Sequence, residues 1–263
     1  MTPRDIWRRV AAFALVVASG SCEAHQAARP AAVTPAARPA SAANAEQQAG
    51  ALRELPVAGF EPALLFAPAG AAPRPLLVAA HGAGGDPRWD CDYWRRLTGD
   101  RAFVLCLRGT PLGGRYAGYF YRDHHALGRE LFAAERAARA AEPRILAGSG
   151  VYAGFSQGAS MGTPILHEHA AAFPYAVLIE GFSPWNIPLG RRFLSAGGRR
   201  VLLVCGSKQC GSVAKTSAHW LDVAGGQARF EMVEGAGHTP VGPVMKRVEA
   251  ALPWLLAGDA NWQ

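Results

Sequence analysis

Val151-Tyr152-Ala153-Gly154-Phe155-Ser156-Gln157-Gly158-Ala159-Ser160-Met161 is the stretch on which the reading of this chain turns. Val151 to Phe155 is an apolar run of strand length, and Gln157 to Ala172 has helical period, so Ser156 falls between a strand and a helix. It is flanked by glycines in the pattern G-x-S-x-G. Small residues are needed on both sides when a serine sits on a tight turn that pushes its hydroxyl clear of the backbone. As a string the motif is weak in a chain of 263 residues with 30 Gly. Its meaning comes from the strand before it and the helix after it. The same letters also allow a turn whose serine only caps the next helix.

Working outward, the same alternation runs along the chain. Strands are expected at Ala63 to Pro68, Pro75 to Ala80, Ala102 to Leu107, Val151 to Phe155, Tyr175 to Ile179, Val201 to Cys205 and Arg229 to Val233. Helices are expected at Pro87 to Leu97, Asp123 to Ala141, Gln157 to Ala172, Ser212 to Ala224 and Val241 to Leu256. Short apolar strands alternating with longer helices predict an α/β fold, a mostly parallel sheet covered on both faces. Ligands of such sheets sit outside the carboxyl ends of the strands, so the residues just after each strand carry the chemistry.

After the strand ending at Ala80 comes His81-Gly82-Ala83-Gly84-Gly85, a flexible turn able to aim a backbone N–H at a substrate oxygen. The candidate oxyanion donors are the N–H of Ala83 and that of Gln157, next to the nucleophile. His81 itself reads as a turn-stabilising residue. A phosphate cradle would need G-x-x-x-x-G-K-[ST], which does not occur. After the last strand comes Glu234-Gly235-Ala236-Gly237-His238-Thr239-Pro240, a glycine-flanked histidine in a loop. An imidazole titrates near working pH, so His238 can take the serine proton and return it to a leaving group. His124-His125 and His167-Glu168-His169 lie in expected helices without the i, i+4 spacing of a zinc pair, and no metal or cofactor is expected.

With these signals in this order, the chain resembles the α/β-hydrolase superfamily, and within it the small serine esterases of the carboxylesterase and polyester-depolymerase kind. The resemblance covers about residues 55 to 257. It implies the fold, a relay from Ser156 to His238, and hydrolysis of an ester through an acyl-enzyme. It also implies an acid after the strand preceding the histidine, yet Gly206-Ser207-Lys208-Gln209-Cys210-Gly211 contains no carboxylate. Some relatives carry the acid one strand earlier, where this chain has Glu180. A carboxylate there, after an apolar strand, would be buried at a cost unless it met a partner such as His238. Asp222, Glu234 and a dyad without an acid remain the alternatives.

The loop from Gly109 to Arg122 is rich in glycine and aromatics, and Phe182, Pro184 and Trp185 follow Glu180. Tyr116, Tyr119, Phe120 and Trp185 are therefore the candidate substrate wall, unless they only cover the sheet edge. The short stretch from Phe182 to Arg200 leaves little room for a lid. Cys205 and Cys210 suggest a small disulfide-closed loop, and Cys91 with Cys106 a second bridge, although four cysteines allow three pairings.

The N-terminus reads as an address. Met1 to Val10 is basic, Ala11 to Ala18 is apolar but too short to span a bilayer, and Ser19-Gly20-Ser21-Cys22 resembles a bacterial lipobox. Cleavage after Gly20 or Ala24 would instead give a plain secreted protein. Five cysteines less an acylated Cys22 leave an even set, suited to an oxidising compartment. Residues 1–22 are thus read as a signal peptide, 23–50 as an Ala/Pro-rich tether, and 51–263 as the hydrolase domain. The net charge is +7; Arg4, Arg8 and Arg9 against Asp5 account for +2 of it, and the remainder is scattered. Basic runs interleaved with aromatics are missing, so nucleic acid is not an expected partner. Half of the residues are hydrophobic and 18% charged, which excludes a wholly disordered chain. The expected partners are a small or polymeric ester and, through a lipid at Cys22 only, a membrane. A peptidase or thioesterase would share the relay, and a tethered, non-catalytic binding protein would share the scaffold.

Overall fold

The computed structural model describes residues 50–263. The readings of 1–22, of Cys22 and of the tether up to Ala49 lie outside the described residues. Eight strands form one sheet: β1 Leu52–Leu55, β2 Ala63–Phe66, β3 Leu76–Ala80, β4 Phe103–Cys106, β7 Val151–Phe155, β8 Tyr175–Ile179, β9 Arg200–Cys205 and β10 Gln227–Met232. Their spatial order is β1-β2-β4-β3-β7-β8-β9-β10. β2 pairs antiparallel with both β1 and β4, and every other pairing is parallel. A two-stranded ribbon, β5 Thr110–Pro111 with β6 Tyr119–Phe120, stands apart.

Period-two alternation sorts the strand side chains between two cores. Leu76, Val78 and Ala80 of β3 point to one face, Leu77 and Ala79 to the other. The first face is covered by α2 His124–Ala141, α3 Gln157–His169, α4 Ile187–Ser195 and α5 Lys208–Val223, through Leu131, Leu166, Phe193 and Leu221 among others. The second is covered by α1 Pro87–Thr98 and α6 Pro243–Leu255, through Trp94, Val248 and Leu252. Because both faces are buried, the central strands are apolar throughout, which made them legible.

The sequence reading misses β1, the ribbon β5–β6 and α4, and it starts α5 late. β1 is Leu-Arg-Glu-Leu at the sheet edge, too polar and short to stand out. α4 contains Pro188 and Gly190 and is held by Asn186, whose side chain accepts from the Leu189 N–H. α5 begins at Lys208 and not Ser212, because Ser207 caps it and Gly211 lies inside its first turn, against Met232. Cys210 therefore sits in the first turn of a helix, and its bond to Cys205 at the end of β9 closes the short segment between them, as the spacing suggested. The second bridge, Cys91–Cys106, ties the inner face of α1 to β4. Closing a segment of 15 residues, it contributes about 3 kcal/mol by constraining the unfolded chain.

Candidate active site

The strand-to-helix turn at Ser156 is built by what its neighbours lack. Ser156 has φ 49° and ψ −108°, a conformation that L-residues adopt at a cost of about 1–3 kcal/mol. A Cβ on Gly154 would lie 2.6 Å from the Ala159 Cα, and one on Gly158 would strike the Ala80 carbonyl. The turn is pinned from both sides: the Ser156 N–H donates to the Ile179 carbonyl (2.9 Å) and the Gly158 N–H to the His81 carbonyl (3.1 Å). With the turn so fixed, the Ser156 hydroxyl projects beyond the carboxyl ends of β7 and β8.

The structure brings Ser156, His238 and Glu180 together from three separate loops. Ser156 Oγ lies 2.8 Å from His238 Nε2, and His238 Nδ1 lies 3.1 Å from Glu180 Oε2. Glu180 follows β8, is buried, and has φ 52°. Its Oε1 accepts the N–H groups of Gly206 and Ser207, the latter at 2.8 Å, and its Oε2 accepts the Ser207 hydroxyl at 2.9 Å. Three donors besides the imidazole thus surround the buried carboxyl group and fix its orientation. Gly206 also couples acid to base, since its carbonyl accepts the Gly237 N–H beside His238 (3.2 Å). The loop after β9, which has no carboxylate of its own, supplies the cradle for one from the neighbouring strand. Of the other carboxylates considered, Asp222 is engaged in accepting the Ala228 N–H (2.9 Å), and Glu234 lies exposed in the turn after β10.

Ala83 and Gln157 flank the serine. Neither backbone N–H has an acceptor among the described residues. The Gln157 side chain is turned away, its Oε1 accepting from the Tyr121 N–H (2.8 Å), so only its backbone faces the site. The Ala83 N–H belongs to the same peptide as the Gly82 carbonyl, which is held on the far side by the Gly85 N–H (2.9 Å) and by His81 Nδ1 (2.7 Å). His81 Nε2 faces the Arg108 carbonyl at 2.8 Å. A neutral imidazole donates to only one of these carbonyls at a time, and burial pushes the His81 pKa down, favouring the neutral ring. Tyr119 completes the brace by exchanging backbone hydrogen bonds with Gly84 and Gly85. Seen this way, the ribbon β5–β6 is a strap that stiffens the glycine loop.

The four aromatics read as a substrate wall do not form one. Trp185 is 2% exposed and packs edge-on between His167 (4.4 Å) and Phe193 (5.3 Å). The chain after Glu180 runs down into α4 and not up over the site, and burying an indole between helices is worth more than exposing it. Phe120 lines a separate cavity with Phe60 and Leu127. Tyr119 stacks under Arg108 (5.6 Å), and Tyr116 is exposed beside Arg115. The cleft beside the serine is instead a cavity of about 480 Å³ lined by Ala83, Trp89, Asp90, Tyr93, Phe155 and Val241, among others. A second, of about 240 Å³, lies on the other side of His238 against Phe182 and Val213. Trp89, Asp90 and Tyr93 were not singled out by the sequence: they stand on α1 outside the fully buried positions Cys91, Trp94 and Thr98. A further cavity of about 610 Å³ beside α2 and α3 contains no residue of the relay.

Glu180, Cys205 and Cys210 also bring three potential metal-ligand atoms within 4.8 Å of one another. The donor set does not suit a metal, because the two sulfurs are bonded to each other and the carboxylate is committed to four donors.

No family model and no curated protein matches the chain. Solved structures do. TT1662 from Thermus thermophilus superposes with a TM-score of 0.59 at 18% identity, over 79% of this chain and 98% of its own. The Bacillus cereus carboxylesterase gives 0.54 at 21%, over 75% and 94%. The Pyrococcus horikoshii acylaminoacyl peptidase gives 0.57 at 12%, over 78% of this chain but 41% of its own. At such identities the likeness speaks to architecture alone. Together with the strand order, the one reversed strand and the strained serine turn after β7, it makes this an α/β-hydrolase fold.

Proposed function

We propose that the protein is a serine hydrolase that cleaves carboxylic esters through an acyl-enzyme. The observation that carries this reading is the continuous relay from Ser156 Oγ to His238 Nε2 (2.8 Å) and from His238 Nδ1 to Glu180 (3.1 Å) beside two free backbone N–H groups. Ser156 Oγ attacks the carbonyl carbon while His238 Nε2 takes its proton, and the carbonyl π pair moves to the oxygen. Ala83 and Gln157 donate to that oxyanion, each such donor being worth about 3–4 kcal/mol of barrier. As the intermediate collapses, the C–O bond to the alcohol breaks and His238 protonates the departing oxygen. Water then repeats the sequence against the acyl-serine, giving a carboxylic acid and restoring Ser156. Glu180 holds the imidazole in the tautomer that presents Nε2 to the serine and stabilises the imidazolium.

An ester has two arms, and cavities of about 480 and 240 Å³ flank the Ser156–His238 pair. Glu180 beside His238 supplies the carboxylate that the loop after β9 lacks, which favours a catalyst over a non-catalytic binding protein on the same scaffold. A serine-directed phosphonate probe decides: it is expected to label the wild type and not Ser156→Ala, and labelling of both or of neither refutes the assignment.

Export, with a lipid on Cys22, belongs to the same proposal. Two disulfides in the described residues support an oxidising compartment. Among the described residues no helix is long and apolar enough to cross a membrane. Cells fed an alkyne-tagged fatty acid should yield labelled wild-type protein and unlabelled Cys22→Ser; equal labelling would end the lipoprotein reading.

A further inference from the structure

The 480 Å³ cleft has an acidic group in its wall that the hydrolytic relay does not use. Asp90 lies on α1, one residue after Trp89 and three before Tyr93, and all three line the cleft together with Phe155 and Val241. As a residue Asp90 is half-buried, but its Oδ2 is fully buried and has no hydrogen-bond partner among the described residues. Its neighbours are already engaged. Asp86 caps the helix by accepting the Arg88 N–H (2.9 Å), Asp92 pairs with Arg95 (2.8 Å), and the Arg96 guanidinium stands over the Tyr93 ring at 5.2 Å.

A lone carboxyl in an apolar wall is costly to bury, and the cost appears in its acidity. Burial pushes the Asp90 pKa up to about 7, and repulsion from Asp86 adds to it. Two features would offset that cost when the cleft is filled. A cation seated in the cleft beside Asp90 would attract the ionised carboxyl group through the wall, without touching the buried Oδ2. Trp89, which is 70% exposed, Tyr93 and Phe155 offer aromatic faces, the surroundings in which alkylated ammonium groups are held. A purely structural aspartate would be expected to find a donor in the fold, as Glu130 does with the N–H groups of Arg108 and Gly109.

We propose that Asp90 is a specificity-determining residue and that the cleft takes the ammonium-bearing arm of a cationic ester. The inference rests on the hydrolase reading above and deepens it by naming a substrate class. The charge lies on the arm that enters between α1 and the glycine loop, while the other arm lies on the Phe182 side of His238.

The test uses two matched pairs of esters. In one pair the acyl chain ends in a trimethylammonium group or in its uncharged tert-butyl isostere; in the other pair the alcohol does. The wild type is expected to favour the cationic member of one pair by about ten-fold or more in kcat/KM, and the responding pair identifies the arm. Asp90→Asn should bring that ratio to about one, and Trp89→Ala, at an exposed position that does not threaten folding, should lower it several-fold. In parallel, hexyltrimethylammonium binding is measured by calorimetry on wild type, Ser156→Ala and Asp90→Asn. The expected result is equal affinity in the first two and a loss of about ten-fold in the third. Turnover of uncharged esters without a cationic preference, or a preference that survives Asp90→Asn, overturns the inference and leaves the hydrolase reading standing. Ester turnover by Ser156→Ala overturns the hydrolase reading, while the calorimetry still judges Asp90.

Discussion

Ser156→Ala is expected to lower kcat/KM for an activated ester by about five to six orders of magnitude while leaving the unfolding midpoint within a few degrees of the wild type. The size follows from what the hydroxyl does. It is the group that forms the new bond, and without it the imidazole has no proton to take, so only the oxyanion donors and substrate binding are left, worth about 10³–10⁴ over water. His238→Ala should cost about as much, because a serine hydroxyl without a base 2.8 Å away is a poor nucleophile at neutral pH. The double variant should then be hardly slower than either single one, since the two residues act as a unit. Steady-state kinetics on the three variants, with thermal melts beside them, give the comparison. Losses that multiply would mean that the two residues do not work on the same proton.

The second large effect falls on the carboxylate. Glu180→Gln is expected to lower kcat by about 10³–10⁴, and Asp222→Asn to change it by less than about two-fold. The amide keeps the shape of the side chain and still accepts from Gly206 or Ser207, but it carries no charge to stabilise the imidazolium. It can also turn its NH₂ toward His238 Nδ1, which fixes the wrong tautomer. Asp222 serves the backbone of Ala228 instead, at the far end of α5 from the relay. The same kinetic assay decides; full activity in Glu180→Gln with loss in Asp222→Asn would move the role.

How much of this was legible depends on the kind of force that places each residue. The central strands and the helices around them were readable because burial on two faces writes long apolar runs, as in Val201 to Cys205. Ser156 was readable because its turn tolerates only glycine at 154 and 158, which leaves letters in the sequence. Glu180 was reached by its place after an apolar strand, but its cradle was not: the donors at Gly206 and Ser207 are backbone groups and a small hydroxyl, and come from a neighbouring strand 26 residues on. The same holds for the glycine loop, whose bracing by Tyr119 runs through main-chain atoms. Trp185 was misplaced because an aromatic after a strand end has two uses, and only the path of the following chain decides between them. Asp90 and Trp89 were passed over because a helix face at the rim of a cleft and one in open water look alike in one dimension.

Cys205 and Cys210 bracket Gly206 and Ser207, the two residues whose donors hold Glu180, so one covalent bond lies across the anchorage of the acid. For anyone producing the protein, the amount that is soluble and the amount that turns over are then different quantities. A preparation folded in thiol-rich cytoplasm, besides melting earlier for want of the Cys91–Cys106 bridge, is expected to titrate fewer working serines per milligram than one folded under oxygen, and comparisons of specific activity between hosts have to be normalised to that titre.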